Sequence, residues 1–457
     1  MSHPTSTSTV GAPEAPGTPP HSTARRRRAP HPLRSEALRG FAPWAGVTTA
    51  SAVIASMALN SARWQGGWAE TASELHTTQL IVLPLTVAAG CWQGGRERRR
   101  RTGELWATAA RAPLARLLVS ALPVAVWTAL GFLAATVSAM LATWPYTQGD
   151  TPHLGLLPGD VVTTAGVALV GHVVGRVVPW RLTGPVLAVA LFAWLSTILV
   201  DAGGPSRLTP ARPVGDDLLP VWWQPLAVIG WTGGLTAAAV LAYAARRRIT
   251  ALLPLAVAAA AALALTTSTE VPYRTDPLAL RQVCDTSTTP AVCVNARYAG
   301  VLPQVRAALA PVTEKLEGVR GLPARWEDLP GSTDRDEAQL PILTPRGWSF
   351  VRGRLTHPRQ YAWEAVAMLE GGDRCEKRGT RTTDELVEHY LAPSPVEADF
   401  DRLDARGTKA DRAALRRTLA VRARFAALSP EARRTWLSGY FIAARSGACS
   451  DPEVPLP

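Results

Sequence analysis

GGRERRRRTGELWATAARAP, residues Gly94 to Pro113, sets five arginines (Arg96, Arg98, Arg99, Arg100 and Arg101) directly behind one apolar segment, and a proline directly before the next. A chain that crosses a bilayer keeps such a cluster in the cytoplasm. The stretch therefore fixes an orientation against which every other segment can be tested.

The 457 residues are long enough for two or three domains, and they divide into unlike parts. Residues 1–266 are apolar with clumped charge and a net of +10, whereas residues 267–457 are mixed like a soluble domain and carry only +2. The excess that makes the whole chain +12 thus lies before and between apolar segments. That placement argues for membrane orientation and against nucleic acid, which calls for a basic face interleaved with aromatics on a soluble part.

Residues 1–34 are rich in Ser, Thr, Pro and His and close on Arg25–Arg28, which predicts a disordered basic cytoplasmic tail. No cleavage pattern follows it, so the first apolar segment reads as a retained anchor. Residues 35–266 form the expected transmembrane domain, with spans at about 41–60, 77–93, 117–144, 159–178, 183–200, 224–245 and 249–266. Alternating them from a cytoplasmic start puts eighteen arginines on inner stretches and three (Arg63, Arg207 and Arg212) on short outer loops. Trp64, Trp68, Trp144, Trp222 and Trp223 flank the outer ends as an aromatic belt would. The expected fold is an all-α polytopic membrane protein of about seven helices, lodged in a bacterial plasma membrane with its N-terminus inside.

Seven crossings place residues 267–457 outside, as an extracytoplasmic domain. Cys284, Cys293, Cys375 and Cys449 all fall there, while Cys91 is alone in the second span. Four cysteines permit three complete pairings, or free thiols; Cys284–Cys293 with Cys375–Cys449 is favoured because the first pair closes a short loop. Leu302, Val305, Leu309, Val312, Leu316 and Val319 recur every three or four residues and predict an amphipathic helix. Further helices are expected at 361–370, 382–391, 409–426 and 430–445, with a strand or hairpin within Pro341–Val351, so this domain reads as mainly helical.

Chemistry is sparse. No phosphate-binding loop, H-E-x-x-H zinc motif or G-x-S-x-G elbow occurs, so neither catalytic residues, metal nor cofactor are expected. His389 reads as a solvated helix residue, and the acidic runs Asp334–Glu337 and Glu397–Asp404 as solvated loops. Within the spans His172 and Arg176 stand out, one turn apart near a cytoplasmic end: Arg176 as a side chain reaching the interface, His172 as a hydrogen-bonded packing residue. Gly171 and Gly175 form a G-x-x-x-G pair suited to close helix packing.

Two stretches, RERRRRTGELWATAARAPLARLL after the second span and GHVVGRVVP with RLTGPVLAV joining the fourth and fifth, resemble the transmembrane subunit of ABC-2 type transporters, over roughly residues 35–250. The resemblance implies an exporter permease energised by a separate ATPase, with two permease subunits, alike or different, assembling across the bilayer. It makes Thr102–Ala110 the ATPase-contact helix, with Arg98, Arg101, Glu104, Leu105 and Trp106 as contact residues; an interfacial helix that binds only lipid is the other reading. The seventh span and the outer domain depart from that family. PAVCVNARYAGVLPQVRAAL resembles outer domains attached to uncharacterised actinobacterial membrane proteins. The rival expectation is a membrane-anchored extracytoplasmic binding or sensory protein without transport activity.

Overall fold

Each apolar segment becomes a helix, and the differences from expectation lie at the helix ends. The computed structural model describes residues 11, 32–100, 112–178, 180–200, 204–267, 272–329, 336–343, 350–369, 382–445 and 456–457. Most of the basic tail, residues 101–111, Cys375 and Cys449 lie outside the described residues.

A short helix α1 (Pro32–Arg39) precedes α2 (Ala42–Leu59), which starts with a proline in its first turn, where the missing N–H costs nothing. After α3 (Ser61–Trp64) come α4 (Trp68–Thr77) and α5 (Gln79–Gly94), bent by 41° at Thr78. The Thr78 hydroxyl donates to the Leu75 carbonyl at 2.6 Å, a local bond that competes with the helical ladder at the bend. The expected second span began at residue 77; the helical path starts at Trp68 and so carries Glu70 and His76 into the bundle.

The arginine turn α6 (Arg96–Arg99) follows, then α7 (Pro113–Thr143), α8 (Leu157–Val177), α9 (Thr183–Val200), α10 (Gln224–Ala244) and α11 (Leu252–Thr267). Among the described residues five helices are long and apolar enough to cross a membrane, or six with the bent α4–α5 pair, and Thr183–Thr197 is a shorter apolar helix. Large apolar side chains such as Val47, Ile54, Val126, Val137, Val189 and Leu263 stay exposed along these helices, as a lipid-facing surface requires.

The closest packing joins α5 to α8. A Cβ on Gly90 would lie 2.0 Å from the Ala168 carbonyl oxygen, and one on Gly171 would lie 2.2 Å from that of Val87. Gly94 and Gly175 meet the opposite backbone in the same way, so the G-x-x-x-G pair on α8 interlocks with a second, Gly90 and Gly94, on α5.

The chain after α11 folds around its own core. Strands β3 (Gln282–Asp285), β4 (Ala291–Asn295), β5 (Arg325–Glu327) and β6 (Glu337–Gln339) form a sheet in that order, antiparallel at β3–β4 and parallel thereafter. Helix α12 (Leu302–Lys315) makes the crossover from β4 to β5, burying Val305, Leu309 and Val312 as its spacing predicted. Helices α13 (Pro358–Leu369), α14 (Thr382–Leu391), α15 (Glu397–Arg406), α16 (Lys409–Ala427) and α17 (Pro430–Arg445) complete a mainly helical unit. Trp326, Phe350, Tyr361, Phe425 and Tyr440 fill its centre. The hairpin expected within Pro341–Val351 is shifted: Phe350–Val351 pairs with Arg354–Leu355.

Two expectations need correction. Residues 397–404 belong to α15 and not to a loop, because Glu397 and Asp401 both pair with Arg422 on α16. Trp64 does not face a membrane interface; it is buried, its indole N–H donating to the Met57 carbonyl at 2.8 Å. His389 is a solvent-contacting residue of α14 as expected, its side chain 39% exposed, with Nδ1 also 2.9 Å from Glu397. Of the cysteine pairings, Cys284–Cys293 is present across the β3–β4 pair.

Candidate functional site

The arginine end of the bundle brings some predicted residues together. Arg176 pairs with Glu97 and donates to the Ser120 hydroxyl at 3.1 Å, and His172 Nε2 sits 3.2 Å from that same hydroxyl. Arg98 donates to the Arg176 carbonyl, so α6, α7 and α8 are tied at one point. Arg176 is therefore an ion-paired tie and not only a side chain reaching outward, whereas His172 is the hydrogen-bonded packing residue expected. Arg101, Glu104, Leu105 and Trp106 lie outside the described residues.

The opposite end holds what the sequence reading missed. Here the C-terminal unit sits on the bundle through a buried polar seam. Glu70, in the first turn of α4, receives the Arg297 guanidinium at 2.9 Å and the Tyr298 hydroxyl on the same oxygen. Both carboxylate and guanidinium are almost wholly buried, at 1% and 4% exposure. Asp150, from the loop after α7, accepts the backbone N–H groups of Trp68 and, at 3.2 Å, Ala69, which caps α4 from a remote segment.

Backbone contacts widen the seam. Gly300 N–H donates to the Gln148 carbonyl and Arg352 N–H to the Gln65 carbonyl, each at 2.8 Å. Strand β1 (Leu218–Pro220), between α9 and α10, pairs antiparallel with β2 (Tyr273–Thr275), which follows α11. His153 Nε2 lies 3.2 Å from Asp276, joining the α7–α8 loop to the start of the C-terminal unit. Further along α4, His76 Nδ1 meets Asp160 of α8 at 2.8 Å.

The charge states follow from these contacts. Burial, reinforced by the nearby Glu70, pushes the Asp150 carboxyl up to about 7 against the backbone bonds that favour its ionised form. Burial opposes the Arg297 cation, but Tyr298, Glu70, Asp216 and Asp150 together hold it above the ordinary arginine range. Burial lowers His153, which keeps the ring neutral more readily, while Asp276 works in the other direction. Among the described residues the groups pair only in part, since Glu70 Oε2, Asp150 Oδ1 and Arg297 Nε are buried without a hydrogen-bond partner, and no three His, Cys, Asp or Glu side chains converge to hold a metal. What the seam does is fix the C-terminal unit to α4.

A sequence signal for part of this existed. Asp160 lies inside the expected fourth span, and a carboxylate there is functional until shown otherwise. Comparison with protein-family models, with curated proteins and with solved structures found no match.

Proposed function

We propose that the chain is a permease-like subunit of an ATP-driven exporter of the ABC-2 type, with seven crossings of a bacterial plasma membrane, a cytoplasmic N-terminus and an extracytoplasmic C-terminal unit. The observation that carries this reading is the continuity of residues 68–99. Glu70 grips Arg297 at the seam; the same stretch then runs through α4 and α5 into α6 and its arginines. A push delivered at the arginine loop by a separate ATPase has a path along one stretch of chain to the outer unit, and the interlocked glycines of α5 and α8 keep its α5 part stiff up to the bend at Thr78. Residues 101–111 are where the ATPase would press, with Glu104 and Trp106 as its contacts.

Purification from native membranes in mild detergent tests this. An ATPase should accompany the wild-type chain and be lost from the E104A/W106A variant; a solitary wild-type chain with its outer unit intact overturns the reading. Orientation has a separate test. In intact cells an impermeant thiol reagent should label Cys284 only after reduction, and labelling confined to opened cells removes the outer placement.

A second reading, an anchored binding or sensory protein, is favoured by a different observation. The C-terminal unit carries an open depression of about 680 Å³ lined by Glu314, Lys315, Tyr390, Arg433 and Arg434. In that case the seam transmits occupancy of the depression inward, and no ATPase co-purifies.

A further inference from the structure

We infer that a groove at the arginine end of the bundle is a binding site for one anionic phospholipid. The groove has a volume of about 320 Å³ and lies between α5, α6 and the turn from α8 to α9. Its lining is mostly apolar, with Phe41 and Pro185 among others, and includes Arg98, Arg99 and Arg181. Trp92 and Trp180 also line it, 53% and 56% exposed, as residues of an interfacial aromatic belt would be.

The charge balance identifies the occupant. Arg96 has Glu36 and Arg176 has Glu97, but Arg98, Arg99 and Arg181 have no carboxylate partner among the described residues. Arg99 is ordered all the same: its guanidinium lies 4.1 Å over the Trp92 ring and donates to the Trp92 carbonyl. Burial presses Arg99 below the ordinary arginine range, opposed by Cys91 and reinforced by the charges of Arg100, Arg181 and Arg96, which an anion in the groove would offset.

An occupant must satisfy two surfaces at once. The walls are continuous with the apolar faces of α5 and α9, so one part of it is hydrocarbon; the arginines present guanidinium forks matched to phosphate oxygens, so the other part is a phosphodiester. A phospholipid with a net negative headgroup meets both needs, and a zwitterionic one brings an ammonium against three arginines. The acidic segment of a partner protein meets only the second. This inference does not depend on the exporter reading, since either reading leaves the groove in the bilayer.

Native mass spectrometry of the full chain, released from mixed micelles of phosphatidylglycerol and phosphatidylcholine, provides the test. One phosphatidylglycerol should be retained per chain in preference to phosphatidylcholine. The R99Q/R181Q variant should lose that retention by roughly tenfold or more, since each arginine near a lipid surface contributes about 1 kcal/mol. The R433Q/R434Q variant removes the same charge from the C-terminal unit and should retain the lipid. Equal retention of both lipids, or equal loss in the two variants, overturns the site. A further readout survives poor folding of R99Q/R181Q: phosphatidylglycerol brominated on its acyl chains should quench wild-type tryptophan fluorescence more than that of W92F/W180F. Identical quenching places the lipid elsewhere and also overturns the site.

Discussion

At the seam, Glu70, Asp150 and Arg297 are shut away from water and held by partners from distant segments of the chain; at the arginine end, Arg98, Arg99 and Arg181 crowd together with no carboxylate among the described residues to meet them. The same kind of side chain is thus used in two ways. Buried and matched, an arginine specifies where one part of the chain sits on another. Exposed and without a carboxylate, it makes at most backbone or ring contacts with the fold, and its charge stays available to something outside the chain. If that contrast is right, substitutions of equal chemistry at the two ends should have unequal consequences.

The largest effect is expected at Arg297. Replacing it by methionine leaves the Glu70 carboxylate buried without its cation, and stranding one member of a buried pair costs about 3–5 kcal/mol. Thermal unfolding of R297M in detergent should show the C-terminal unit released early, with protease sites near residue 272 opening first. The E70Q/R297M double variant removes the stranded charge and should recover much of the loss. If R297M melts like the wild type, the seam is not held by its charges.

Next comes the pH dependence of the same seam. The Asp150 carboxyl is raised from 3.8 to about 7, so the folded form binds a proton that the unfolded chain has already released across that interval. Its stabilising share is complete below about pH 4 and is lost as pH rises to 7, roughly 4 kcal/mol in all, of which about 2–3 kcal/mol falls between pH 5 and pH 8. The wild type should therefore melt lower at pH 8 than at pH 5, and D150N, which keeps an acceptor for the α4 amides but cannot ionise, should flatten that difference. An unchanged slope in D150N assigns the titration to another group.

These two ends were not equally legible in the sequence. Hydropathy marks α2, α7, α8, α10 and α11 because a membrane span is a local, contiguous property of composition. It fails at Trp68–Thr77, whose WAETASELHT is too polar to register, although that polarity is what places Glu70 and His76 at the seam. Glu70 and Arg297 are 227 residues apart, and no periodicity links positions so distant. The Cys284–Cys293 pair, nine residues apart, is local and was readable. The glycines fall between: Gly171 and Gly175 stand out on α8, but their counterparts on α5 acquire meaning only once the two helices are known to be neighbours.

That shared helix face gives the third expectation. G171A places a methyl group where the Val87 carbonyl already stands, and backbone at such a contact cannot rotate away as a side chain would. Overpacking of this kind costs about 1–3 kcal/mol. The melting temperature of the whole bundle should fall, with the loss shared by both ends because α5 joins them. A drop confined to the C-terminal unit would show that the α4–α5 path is not stiff.

The smallest effect is expected at Arg96, and it tests the contrast most directly. Its pair with Glu36 has good geometry, at 2.7 Å, yet both side chains remain about a quarter to a third exposed. In that setting water and salt screen the attraction, and removing the pair costs less than about 1 kcal/mol. R96Q should therefore melt close to the wild type, and raising the salt concentration should narrow the remaining gap, whereas the deficit of R297M should persist in salt because its carboxylate partner is buried. Two arginines in two ion pairs of nearly equal length would then differ severalfold in their contribution, the difference arising from solvent alone. Should R96Q prove as damaging as R297M, exposure to solvent does not set what an ion pair contributes here, and the Arg96–Glu36 pair is a structural element like the seam.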